Sequence, residues 1–228
     1  VVKVDNTAVA LALTTGVDTL TGSKANDTFT ADILTVGATD SIVDATTTDS
    51  DTLNMTINAA VASTFTTTNV ENINVTSLGA NAIDMTKMTG VNALSTTGST
   101  GTVTVTNAAN AGMDLGFAGS STNTISATYT ADSLSGTADK LTVNLSTATG
   151  VTATVNAGFE TAELTVTGTS SLTDLNAPGV TALTISGTGA LTIADAALAG
   201  FTGITITDTA AISTGAMTGV KTFVATAN

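Results

Sequence analysis

"VTALTISGTGALTIADAALAG", residues 180–200, is one unit of a pattern that recurs along the chain. It opens on an apolar residue and alternates apolar with small polar residues through Leu183 and Ile185. The alternation resumes at Leu191 and Ile193, and the unit stops on Gly200. "FETAELTVTGTSSLTDLNAPG" (159–179) precedes it, "FTGITITDTAAISTGAMTG" (201–219) follows, and "VKTFVAT" begins another. "VENINVTSLGANAIDMTKMTG" (70–90) belongs to the same set, with Ile83 and Met85 in its second short run. The inner apolar pairs are Leu164/Val166, Leu183/Ile185, Ile204/Ile206 and Ile73/Val75. Strict alternation reads as strand with one face buried. A unit of 19–22 residues holding two or three short strands cannot bury its own apolar face, whereas stacked units bury a continuous stripe. The expected fold is therefore all-β: a parallel β-solenoid, a β-helix or β-roll, with short strands and turns containing Gly and Asp. A sandwich would instead show hairpin turns between unrelated strands.

A longer repeat lies above these units. "DTLNMTI" from Asp51 matches "DKLTVNL" from Asp139, and "NVENINV" from Asn69 matches "GFETAELTV" from Gly158. Glu71 corresponds to Glu160, and "GVNALSTTG" from Gly90 to "GVTALTISG" from Gly179, an offset of 88 or 89 residues throughout. The chain thus divides into an N-terminal section, 1–50, a first solenoid block, 51–130, and a duplicated second block, 131–228. The least regular stretch, 106–130, is the expected junction.

Composition narrows the function. Of 228 residues, 54 are threonine, which favours strands because β-branched side chains pack well on a pleated surface. The chain has no cysteine and no histidine, so disulfides, thiolate chemistry, His-based triads and the usual zinc ligands are excluded. Its five cationic residues are scattered lysines, Lys3, Lys24, Lys87, Lys140 and Lys221, and the formal net charge is −13. Nucleic acid is a poor partner for such a surface, and a metal ion or polycation a natural one. Catalysis on polysaccharide would need paired carboxylates plus groups to grip sugar, and tryptophan and arginine are both absent. No apolar run is long enough to span a membrane. The chain opens Val-Val-Lys with no visible signal peptide, and reads as an internal stretch of a longer protein.

The acidic residues are densest near the N-terminus. "GVDTLTGSKANDTF" (16–29) places Asp18 and Asp27 nine residues apart, each followed by Thr and then, one residue on, by an apolar residue. Gly22, Asn26, Asp27 and Phe29 occupy the places expected in a G-G-x-G-x-D-x-U-x nonapeptide, a calcium-binding β-roll motif, with Ser23 in place of the second glycine and Ala25 in place of the third. Asp40, Asp49 and Asp51 extend the theme, and Asp132 and Asp139 repeat it in "ADSLSGTADKLTV" (131–143). Calcium takes roughly 6–8 oxygen ligands, and glycine turns with carboxylates supply them. The candidate ligands are Asp18, Asn26, Asp27, Asp40, Asp49, Asp51, Asp132 and Asp139. Any single Asp is also a turn device, because its carboxylate bonds nearby amides. That reading is preferred for Glu71, Glu160, Asp114, Asp174, Asp195 and Asp208.

"TTGVDTLTGSKANDTFTA", "DSDTLNMTI", "NVENINVT" and the Thr-rich "VTALTISGTGALTI" units resemble RTX-type proteins. They resemble still more closely the calcium-dependent surface-layer proteins of Gram-negative bacteria. The resemblance implies type I secretion, folding on meeting extracellular calcium, and assembly with copies of itself into a two-dimensional layer on the cell surface. Contact with cell-surface polysaccharide would come through regions outside this chain. The alternatives are a calcium-dependent adhesin or stalk segment and, through its outward Thr-x-Thr runs, an ice-binding solenoid.

Overall fold

The computed structural model describes residues 6–194, 198, 200–207, 210–215 and 219–226. Asp195 and Asp208, expected as turn residues, lie outside them. Coil 1 holds β1 (Ala10–Ala12) and β2 (Thr19–Thr21), coil 2 β3 (Thr28–Ala31) and β4 (Ser41–Val43), and coil 3 β5 (Thr52–Ile57) and β6 (Thr66–Thr68). Coil 4 carries three strands, β7 (Asn72–Ser77), β8 (Asn81–Asp84) and β9 (Met88–Thr89). Coils 5 to 7 hold β10 (Ala93–Thr97) and β11 (Val103–Ala108), β12 (Asp114–Ala118) and β13 (Thr124–Tyr129), then β14 (Lys140–Ser146) and β15 (Val151–Val155). Coils 8 to 10 hold β16 (Thr161–Thr167) and β17 (Ser170–Asn176), β18 (Ala182–Gly187) and β19 (Leu191–Ile193), then β20 (Gly203–Ile206) and β21 (Ile212–Thr214). β22 (Thr222–Ala225) starts the next coil.

Each strand pairs in parallel with the strand one coil away, and the coils stack into a parallel β-solenoid. Sheet A has eleven strands and runs from β1 to β22 without a break. Sheet B has four (β2, β4, β6, β9) and sheet C seven (β8, β11, β13, β15, β17, β19, β21), so coil 4 is where sheet B gives way to sheet C. Among the described residues there is no α-helix, and no helix is long and apolar enough to cross a membrane.

Alternation dictates which side chains enter the core. In β5 and β7 every second residue is buried, and threonine and asparagine point outward between them. Phe29, Leu53, Ile73, Leu94, Leu115, Val143, Leu164 and Ile185 stack in one column up sheet A, all 0% exposed. Each contributes about 1.5–3 kcal/mol through burial, so the column is a main source of cohesion. The buried residues form one contiguous core from Leu13 to Ile204.

The 88-residue repeat corresponds to four coils. Asp51 stands at the entry to β5 and Asp139 at the entry to β14, both on sheet A. Within the C-terminal units, Leu183 and Ile185 stack on Ala162 and Leu164, with Val166 paired to Gly187.

Candidate metal centre

The chain leaves sheet B and enters sheet A through a corner that differs from coil to coil. In coil 1 the corner is Gly22–Asp27, "GSKAND", and in coil 2 it is Asp44–Asp51, "DATTTDSD". Backbone bonds stack them: the Gly22 amide donates to Val43 O (2.9 Å), and the Asp44 amide to Thr68 O (2.9 Å). Gly22 therefore lies directly beneath Asp44. A Cβ at Gly22 would fall on Asp44 Oδ1 and within 2.6 Å of Asp27 Oδ2, so the absent side chain makes room for carboxylates.

Three acids converge there. Asp27, Asp44 and Asp51 are 1%, 2% and 0% exposed, and each places a carboxylate oxygen within 4.8 Å of the other two. The protein ties down some of these oxygens and leaves others without a donor. Asp44 Oδ2 accepts the Thr46 amide (2.6 Å), and Asp51 Oδ1 accepts the Asp27 amide (2.7 Å). Asp27 Oδ1 accepts the Val9 amide (2.7 Å) and the Ser23 hydroxyl (3.0 Å), while its Oδ2 accepts the Ser23 amide. Asp49 Oδ1 accepts the Thr46 hydroxyl. Buried and unpartnered are Asp44 Oδ1, Asp49 Oδ2 and Asp51 Oδ2. Buried polar groups ordinarily have partners, and an unmatched buried charge is costly.

A ladder braces the cluster. Asp51's own amide donates to Glu71 Oε2 (2.9 Å), so Val9, Asp27, Asp51 and Glu71 link four successive coils by amide-to-carboxylate bonds. Burial pushes the Asp51 carboxyl up to about 7, and the charges of Asp44, Asp49 and Glu71 push the same way, against the lowering effect of the Asp27 amide. Among the described residues the ion pair present is Lys140–Glu163 (2.6 Å), four coils away; Lys24 lies in the corner loop itself, exposed, and makes no ion pair with these acids.

The remaining expected ligands are arranged differently. Asn26 is exposed, and its Oδ1 accepts the Ser50 amide (3.0 Å), lacing the two corner loops together. Asp18 and Asp40 stack on each other at the opposite corner, where the chain passes from sheet A to sheet B. Asp40 is 1% exposed, but it accepts the Asp18 amide (2.9 Å) and the Gly37 amide (2.7 Å), and Asp18 accepts the Thr14 amide (2.6 Å). Their oxygens are occupied as turn braces. In the second block the Asp139 amide donates to Glu160 Oε2 (2.7 Å), repeating the Asp51–Glu71 step. Asp139 is only half-buried, though one of its oxygens is unpartnered, and Asp132 is exposed. Asp114 Oδ2 accepts the Asn144 amide group (3.1 Å) on the outer face of sheet A.

Asp44 is the residue that the nonapeptide reading misses. No glycine precedes it, and it sits where β4 ends rather than in a glycine turn. Its signal is its spacing: 22 residues after Gly22 and seven before Asp51, one coil and one corner respectively. The donor set is all oxygen and strongly anionic, with no nitrogen or sulfur ligand. Such a set fits a hard cation of calcium type, and Asp27, Asp44 and Asp51 would hold it. No family model, no curated protein and no solved structure matches this chain.

Proposed function

We propose that this chain is a non-catalytic, calcium-stabilised β-solenoid segment of a secreted bacterial surface-layer protein. It folds outside the cell and packs beside copies of itself. The observation that carries the reading is the buried trio Asp27, Asp44 and Asp51, with unpartnered oxygens on Asp44 and Asp51 and, among the described residues, no ion pair to any of the three. A divalent ion there turns mutual repulsion into ligation and clasps coil 1 to coil 2. An outward surface of threonine, serine and asparagine, and a sequence without histidine, cysteine or arginine, favour a structural role over a catalytic one.

Electron microscopy of the purified chain, with about 5 mM calcium (roughly 5–50 times the Kd of weak extracellular sites, about 10⁻⁴–10⁻³ M) or with chelator, tests the assembly half of this reading. Sheets or lateral arrays that form with calcium and dissolve in chelator are expected. Monodisperse single rods in both conditions would support the stalk or adhesin alternative instead.

A further inference from the structure

The solenoid is not equally dependent on the acidic corner along its length. Coil 1 is held by two short strand pairings and the Asp18–Asp40 bond at the opposite corner, with little apolar burial beside them. Its strands β1 and β2 are three residues each, with the outer residues exposed. Its buried apolar residue is Leu13, 5% exposed, while Leu11 and Leu20 are packed only partly. The middle coils bury whole sets, among them Leu115, Phe117, Ile125, Tyr129, Val143 and Leu145. With so little apolar burial, the acidic corner is a larger share of what holds coil 1, through Asp27, Ser23 and the stacked Gly22. It also serves as a cover: Leu11 pairs over Phe29 and Leu20 over Ile42, both of which are 0% exposed.

We propose that calcium controls only the first described coil of this chain. Loss of the ion releases residues 6–27 as a unit and bares Phe29, Ile42 and the edges of β3 and β4, while the coils from β10 to β19 stay wound. This rests on the calcium reading above and adds where its effect stops. Local release of one weakly packed coil is the expected behaviour of a solenoid, in which each coil touches only its neighbours. The exposed β3 and β4 edges would then be free to take another strand, so calcium concentration would set whether these edges are covered or adhesive.

Hydrogen exchange on the whole chain tests the proposal, in calcium and in chelator at matched pH, with terbium luminescence run in parallel to report ion binding. About tenfold or faster exchange is expected for amides of β1, β2 and β3 in chelator, with amides of β11 to β17 unchanged. Asp44→Asn should show the fast pattern in both conditions. Terbium binding with protection lost evenly along the rod, or with no protection lost at all, would overturn the local-release proposal and leave the ion site standing. Absence of terbium binding would overturn both.

Discussion

At the scale of single residues, the account turns on Gly22 and Asp51. Gly22 has ordinary backbone angles, so its importance lies in the space it leaves beneath Asp44 and beside Asp27. Gly22→Ala should weaken calcium binding at least about tenfold, a cost of roughly 1.4 kcal/mol, while changing the chelator-treated melting temperature little. Titration calorimetry on both proteins reads this, and equal affinities would mean the carboxylates do not need that space. Asp51 gives a pH signature. Its carboxyl is raised from 3.8 to about 7, so the metal-free fold binds the proton more tightly than the unfolded chain does. That contribution to stability is complete below about pH 4 and is lost as pH rises through about 7. Metal-free wild type should therefore lose stability relative to Asp51→Asn across this window, by melting in chelator. Calcium affinity should rise over the same window, because the ion takes the ionised carboxylate. A wild-type protein that gains on Asp51→Asn as pH rises would contradict the assignment.

At the scale of strands and corners, alternation was legible and register was not. The inward residues of β16, β18 and β20 follow directly from their apolar–polar alternation. Matching Leu164/Val166 to Leu183/Ile185 by eye is nevertheless two residues out, because Ala162 and Leu164 are their stacking partners. A slip of two keeps the same face inward, so hydrophobicity cannot expose the error; only a slip of one would. The acidic corners show the same limit. The interval between Asp18 and Asp27 suggests stacked rungs, yet the two lie at different corners of one coil. Asp18 stacks on Asp40 and Asp27 on Asp51, 22 and 24 residues away. Asp44 escaped because its neighbours in space, Gly22 and Asp27, are fixed by stacking rather than by any local motif. Corners also carry strain where strands pack closest. Gly187 sits at φ +126° with Val166 O against the place of its missing Cβ. Gly187→Ala should cost about 1–3 kcal/mol by thermal or denaturant unfolding. A neutral change would mean that sheet A accommodates a side chain there.

At the scale of the whole molecule, one sheet runs from β1 to β22, and coil-to-coil contacts alone connect the acidic end to the far end. That design concentrates negative charge at one end: seven of the eighteen acidic residues lie between Asp18 and Asp51. A cation bound only by the folded state stabilises it by mass action, about 2.7 kcal/mol at a hundredfold excess over Kd. For a chain of this length each kcal/mol moves Tm by roughly 2–4 °C. The most direct measurement is calorimetric titration of the chelator-stripped whole chain with calcium, beside Asp44→Asn. The account predicts saturable binding to wild type with a matching rise in Tm, and loss of both in Asp44→Asn. Wild type that takes up no calcium at millimolar concentration, or an Asp44→Asn protein that binds it equally well, would contradict the account.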